Sequence, residues 1–217
     1  LSALVKDLLD LSKLESGVTT LDLSPFFINS ILENVKQVMS TTNQNVEINV
    51  DLDEITIEAD YHRLLQVFTN IFTNSIKHSG TNCKINCTVN DLESSIEINI
   101  DDNGPGIDND KKDLVFERFY RVDDARNSKD GGSGIGLAIA KQIITMHNGL
   151  ITISNSQMGG TRVRIVLPKM QNFIDLRADT AESLSSSNQI SKQNNFDAQK
   201  KTPSKEKTKW NSIQSTT

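Results

Sequence analysis

The chain has 217 residues, 36% of them hydrophobic, and a formal net charge of −5. That is enough for one well-filled core with accessory segments, and the net charge gives no electrostatic reason to expect nucleic acid. No apolar run approaches the roughly 20 residues of a membrane span, and the N-terminus lacks the basic and apolar regions of a signal peptide.

Leu1 already lies in a helical pattern, so a fragment of a longer protein is expected. Residues 1–16 place Leu1, Leu4, Leu8 and Leu11 at helical spacing, with Val5 and Leu14 alongside. This is the stripe of an amphipathic helix. Gly17 is a natural stop, and so short a helix needs a partner, expected in another chain or in preceding residues. Thr19–Leu23 alternates like a short strand. Ser24-Pro25 then reads as a helix start, since proline suits a first turn that serine can cap. Phe26, Phe27, Ile31, Val35 and Val38 make the apolar face of a helix to about Thr42.

Val46–Val50 alternates, and Ile55 and Ile57 open a further strand. Asp60 can cap the next helix, whose broad apolar face (Leu64, Leu65, Val67, Phe68, Ile71, Phe72, Ile76) runs to Ser79 and Gly80. Cys83–Val89 and Ile96–Ile100 read as alternating strands, turning at Asn90-Asp91. Cys83 and Cys87 share one strand face, about 13 Å apart at strand rise, too far to bridge each other. Reduced, buried thiols are the expectation. A polar, lid-like loop follows, then a helix from about Gly134 to His147 with Ile139, Ile143 and Met146 inward. Asn148-Gly149 turns the chain into a hairpin of Ile151–Ser154 and Thr161–Leu167.

Short turns between most strands imply antiparallel neighbours, with the helices on one face: an α+β two-layer sandwich on a mixed, mostly antiparallel sheet. A doubly wound dinucleotide fold would place its glycines directly after the first strand, whereas here they come late. From about Met170 the composition turns to Ser, Asn, Gln and Lys without a period, as expected of a disordered tail, with Trp210 an isolated aromatic in it.

The chemistry gathers around Asp101–Leu137. Asp102-Asn-Gly-Pro-Gly-Ile107 and Gly131-Gly-Ser-Gly-Ile-Gly136 bracket the polar loop, and the second cluster opens a helix. Glycine lets a ligand approach the backbone, and a helix start offers free N–H groups and a dipole to an anion. A nucleotide with its phosphates at the second cluster is the working expectation. Asp102, an acceptor only, would choose adenine, whose N6 amine donates, over guanine, whose O6 would oppose it. On the helix after Asp60, Asn70 and Asn74 lie one turn apart, followed by Lys77 and His78. An amide oxygen suits a Mg²⁺ that keeps most of its waters, and an ammonium suits a phosphate. Taken alone, the same residues would equally solvate a half-exposed helix, and Asp102 would be an ordinary turn cap.

In order and spacing these segments resemble the sensor histidine kinases. Asn70…Asn74 resembles the N box, Asp102–Ile107 the G1 box, Phe116…Phe119 the F box, Gly131–Gly136 the G2 box and Gly159-Gly-Thr161 the last glycine box. The resemblance covers roughly residues 18–168. Residues 1–17 look like the end of the second helix of the family's dimerisation hairpin, 18–169 like the catalytic ATP-binding domain, and 170–217 would be a tail.

The resemblance implies a Bergerat ATP-binding fold with ATP and Mg²⁺ under a mobile lid. It implies that Asp102 meets the adenine amine with Thr161 helping through a water, that Gly104 and Gly106 let the base approach, and that Ile107 belongs to the same wall. Asn74 would hold the metal with Asn70 nearby, Lys77 would meet a phosphate, and His78 would lie by the adenine. Gly132, Ser133, Gly134 and Gly136, with the amides of Ile135 and Leu137, would cradle phosphate. Phe116 and Phe119 would anchor the lid, while Arg118 and Tyr120 would act from it, Arg118 on the γ-phosphate.

The resemblance also implies transfer to a histidine upstream of Leu1 and onward to a response-regulator aspartate. The full-length protein would be a homodimer in a bacterial cell membrane, attached only through its N-terminal region, with this domain cytoplasmic. His62, His78 and His147 are not followed by Glu or Asp as the acceptor histidine of the family is. Hydrolytic ATPases of the superfamily carry a Glu where this chain has Asn70, and an amide is no general base. A hydrolytic ATPase and a non-catalytic dimerisation module are the alternatives.

Overall fold

The computed structural model describes residues 2–42, 45–51, 54–121 and 133–170. The expected tail, with Trp210, lies outside them beyond Met170, as does most of the lid loop. Four helices are described: α1 (Ser2–Glu15), α2 (Ile28–Thr42), α3 (Tyr61–Ser79) and α4 (Gly136–Met146). The strands are β1 (Ser24–Phe27), β2 (Val46–Asp51), β3 (Thr56–Ala59), β4 (Cys83–Asp91), β5 (Ser95–Asp102), β6 (Leu150–Asn155) and β7 (Thr161–Pro168). The main sheet has the order β2-β4-β5-β7-β6, parallel between β2 and β4 and antiparallel elsewhere. The α+β sandwich expected from the element order is the architecture observed.

Period-2 alternation divides the sheet. Ile85, Cys87 and Val89 of β4, Ile96, Ile98 and Ile100 of β5, and Val163, Ile165 and Leu167 of β7 are buried with the apolar faces of α2, α3 and α4. Phe68 and Phe72 of α3 are fully buried in the same cluster. The other face is polar, and its charges are paired: Arg162 with Asp101, and Arg164 with Glu97. Asp102 continues the even-numbered series of β5 and therefore points to the helical layer, while its neighbour Asp101 points away from it. Both cysteines are free and buried, as expected. Burial pushes the Cys87 thiol up to about 12.

Several local expectations are corrected. Ser24-Pro25 does not start a helix. Ser24–Phe27 pairs antiparallel with β3, Ser24 opposite Ala59 and Phe27 opposite Thr56, and α2 begins only at Ile28. This two-stranded ribbon puts Pro25 at the second strand position, where a missing donor is tolerated at an edge. Thr19–Leu23 belongs to no ladder. The β4–β5 turn lies at Leu92–Ser94, because Asn90 and Asp91 stay in the ladder opposite Glu97 and Ile96.

Within this chain, α1 rests on α4, and Leu11 and Leu14 are buried. Leu4, Val5 and Leu8, on the preceding turns, remain exposed. Polar contacts fix this end: Asp10 accepts from Arg63 and Gln66 of α3, and Gln142 of α4 donates to the Leu14 carbonyl.

Candidate functional site

Asp102 ends β5, 7% exposed. Its Oδ1 accepts the backbone N–H groups of Gly104 and Thr161, each at 2.9 Å. Its Oδ2 accepts from the Ser75 hydroxyl of α3 at 3.0 Å. Three segments thus meet at one carboxylate: the turn after β5, the start of β7 and the N-box helix. Asn103 secures the same turn, accepting from Lys84 N and donating to the Asn82 carbonyl. Gly160 lies against the carboxylate so closely that a Cβ would sit 2.5 Å from the Asp102 carbonyl oxygen and nearer still to Oδ1. Gly106 has φ +75° and faces the Gly160 carbonyl. Ile107 is partly buried against the core.

Beside this cluster opens a cavity of 430 Å³ lined by Pro105, Gly106, Ile107, Asp108, Asn155 and Gly160, among others. A larger groove of 630 Å³ runs along the polar side of α2, past Ser30, Asn34, Gln37 and Thr41. That groove belongs to a single solvated helix face and gathers none of the candidate residues, so volume alone does not locate the site.

The second glycine cluster is described from Ser133 onward; Gly131 and Gly132 lie outside the described residues. Gly134 has φ +68°, and a Cβ there would come within 3.0 Å of the Phe119 backbone. Phe119 N donates to the Gly134 carbonyl at 2.9 Å. This glycine therefore has a packing role whatever it does for a ligand: it lets the end of the F box lie on the helix start. Ile135 is buried, and its N–H is turned to Ser133 Oγ at 3.3 Å. Ser133 Oγ in turn reaches Asp7 of α1 at 3.5 Å. Gly136 opens α4, and its carbonyl accepts from Asn70 Nδ2 at 3.0 Å. Leu137 is partly buried in the first turn.

The N-box helix brings Asn70 and Asn74 half-buried, and Lys77 and His78 exposed, along the α3 side that leads from Gly136 towards Asp102. Among the described residues no group of three or more His, Cys, Asp or Glu side chains could hold a metal. Asn70 and Asn74 bring neutral amides to this side of α3. In the F box, Phe116 is buried with Lys141 Nζ over its ring at 5.5 Å, whereas Phe119 is 55% exposed at φ +64°. Tyr120 packs partly against the core. Arg118 pairs with Glu15 at the end of α1.

Two residues escaped the sequence reading: Ser75 and Glu15. Ser75 left a signal. It lies four residues after Ile71 and three after Phe72, on the buried side of α3, where a hydroxyl must find an acceptor.

Residues 59–171 match the family described as histidine kinase-, DNA gyrase B-, and HSP90-like ATPase. The chain is 40% identical over 171 residues to the sensor protein kinase WalK of Staphylococcus saprophyticus, a match covering 76% of this chain and 28% of WalK. Among solved structures it is similar to full-length ShkA in complex with AMPPNP, with 26% identity, a TM-score of 0.68, and coverage of 81% of this chain and 37% of that one. It is also similar to the histidine kinase ThkA in complex with the response regulator TrrA, with 25% identity, a TM-score of 0.63, and coverage of 77% and 47%.

Proposed function

Because this chain belongs to the histidine kinase-, DNA gyrase B- and HSP90-like ATPases, we propose that it is the ATP-binding catalytic part of a sensor histidine kinase. Residues 18–169 bind Mg-ATP and present its γ-phosphate to a histidine upstream of Leu1, for onward transfer to a response-regulator aspartate. Residues 1–17 are the end of the second dimerisation helix, and 170–217 are a tail. The parent is a homodimer through that hairpin, with this part on the cytoplasmic side of a bacterial membrane. Its likeness to WalK, of which it spans 28%, supports this reading.

The observation that carries the proposal is the Asp102 cluster. A carboxylate offers about four acceptor positions. Three are filled by Gly104 N, Thr161 N and Ser75 Oγ, which leaves one on Oδ2 for a ligand donor. The exocyclic amine of adenine is such a donor, and the O6 of guanine is not. Asn74 offers a neutral oxygen, which fits a Mg²⁺ that keeps several waters and is otherwise held by the nucleotide's phosphates. Lys77 adds a point charge for phosphate. Bound Mg-ATP supplies the transferable phosphoryl group; the chain supplies position and charge, the main sources of acceleration in phosphoryl transfer. Asn70, held to Gly136 through its amide nitrogen, offers no base to activate water, which favours transfer over hydrolysis.

Calorimetry with Mg-ADP tests the site. The chain binds ADP, and Asp102→Asn keeps its fold but loses about 10- to 100-fold in affinity, as an amide donor opposing the adenine amine costs about 1–3 kcal/mol. Unchanged ADP binding by that variant removes Asp102 from its role. The purified chain is expected to take no radiolabel from γ-labelled ATP by itself. Steady-state phosphate release that disappears in Asn70→Ala would instead favour a hydrolytic ATPase.

A further inference from the structure

Ser75 carries an inference that rests on reading the Asp102 cluster as a base pocket and adds a residue to it. A serine inside a helix ordinarily turns its hydroxyl back to the carbonyl four residues earlier. Thr41, Thr42 and Thr145 do so in this chain, donating to Gln37, Val38 and Lys141 at 2.8 Å each. Ser75 does not. It is 5% exposed on the core side of α3, and its hydroxyl reaches across to Asp102 Oδ2 at 3.0 Å. The Ser75 carbonyl meanwhile accepts the weak Cys83 thiol donor at 3.8 Å. The side chain has thus left the local bond for a long-range one to the carboxylate.

The consequence follows from counting acceptor positions. Oδ1 receives two backbone N–H groups, so both of its lone-pair directions are used by the chain. Among the described residues Oδ2 has only Ser75 as a donor, so the hydroxyl decides which lone pair of that oxygen stays open. Without it, Oδ2 would be buried with two open positions, and a ligand's single donor could satisfy only one of them.

We infer that Ser75 is a positioning residue for base recognition: by occupying one side of Asp102 Oδ2, its hydroxyl fixes the remaining acceptor position that selects a purine with an amine at its 6-position, as adenine has and guanine has not. Ser75 acts through Asp102, and its effect is confined to ligands that carry the amine.

The test is a ligand-by-variant cycle on the whole chain. Calorimetry is run with ADP and with purine riboside 5′-diphosphate, which has the same ring, sugar and phosphates but no amine. Wild type binds ADP more tightly than the analogue. Ser75→Ala weakens ADP roughly fivefold, the size expected for the net contribution of one hydrogen bond, and leaves the analogue unchanged. Alanine is a better helix former than serine, so the variant is expected to fold, with thermal melting as the check. Ser75→Cys keeps the shape with a weaker donor and gives an intermediate, equally ADP-restricted loss. Equal losses on both ligands, or no loss on ADP, overturn the role of Ser75. A wild-type chain that binds neither ligand, or both alike, instead overturns the base-pocket reading itself.

Discussion

Asn70 of α3 donates its side-chain amide to the carbonyl of Gly136, the first residue of α4, at 3.0 Å. The two helices assigned to phosphate and metal are therefore tied together by the chain itself. The bond uses the nitrogen of the amide, and among the described residues the Asn70 carbonyl oxygen stays uncommitted. Asn70→Asp removes the donor and sets a carboxylate oxygen against a carbonyl oxygen in a half-buried position. The expected cost is about 1–3 kcal/mol of stability, the penalty of an unmade bond at both groups. A denaturant titration checks it. A variant as stable as wild type would show that the bond contributes nothing to holding α3 on α4.

Gly160→Ala tests how tightly the Asp102 cluster is built. Its added Cβ would lie 2.5 Å from the Asp102 carbonyl oxygen, and closer to Gly104 N and Asp102 Oδ1. Two of those three are backbone atoms, so no side-chain rotation relieves the clash. Overpacking of this kind costs about 1–3 kcal/mol, and here the displaced atoms include the group proposed to read the base. The variant is expected to melt earlier and to lose ADP affinity together. Retained ADP binding in a destabilised chain would mean that the turn can shift without moving Asp102.

The comparison of sequence with structure turns on range. Asp102 was legible from its place at a strand end just before Asn-Gly-Pro-Gly, and the two-residue period of Ile96, Ile98 and Ile100 carries it to the helical side. Asp60 was legible as a cap, and it does accept from Arg63 N at 3.0 Å. Ser24-Pro25 was not, since the same pair suits a helix start and an edge strand, and the choice is made by Ala59, thirty-five positions away. The packing of Leu11 and Leu14 on α4 crosses more than a hundred residues and leaves no local pattern. Ser75 lies between these cases: the sequence shows that a hydroxyl is buried, and only the fold shows that Asp102 receives it.

His147 closes α4, is fully buried and uses both ring nitrogens. Nδ1 lies 2.8 Å from the Ile143 carbonyl, which only accepts, and Nε2 lies 3.0 Å from Asp60 N, which only donates. The partners therefore dictate the neutral tautomer with its proton on Nδ1. Burial holds the ring below the ordinary histidine value of 6.5, outweighing the Ile143 bond and the Asp60 charge. Below pH 6.5 the unfolded chain takes up a proton that the folded chain refuses, so stability falls as pH drops towards the folded value. Above 6.5 the group contributes no slope. Melting temperatures between pH 5 and 8 should show this decline in wild type and a flatter profile in His147→Gln. An unchanged slope would assign the acid sensitivity to other groups.

Arg118 and Glu15 supply the last prediction. The resemblance gives Arg118 to the γ-phosphate, yet its guanidinium is paired with a carboxylate at the end of α1, at side-chain exposures of 46% and 33%. An exposed pair of this kind contributes only about 0.2–1 kcal/mol, so Glu15→Gln should barely change the melting temperature. It should change nucleotide preference. A γ-phosphate must draw Arg118 away from Glu15, whereas ADP makes no such demand. Removing the competing charge is expected to tighten AMPPNP about two- to fivefold, the same energy read as a binding ratio, and to leave ADP unchanged. The gain should shrink in high salt, where the pair is already screened. Calorimetry with the two nucleotides at two ionic strengths measures both effects. If the AMPPNP-to-ADP ratio stays constant in Glu15→Gln, the pair merely joins α1 to the F box, and Arg118 does not compete between carboxylate and phosphate.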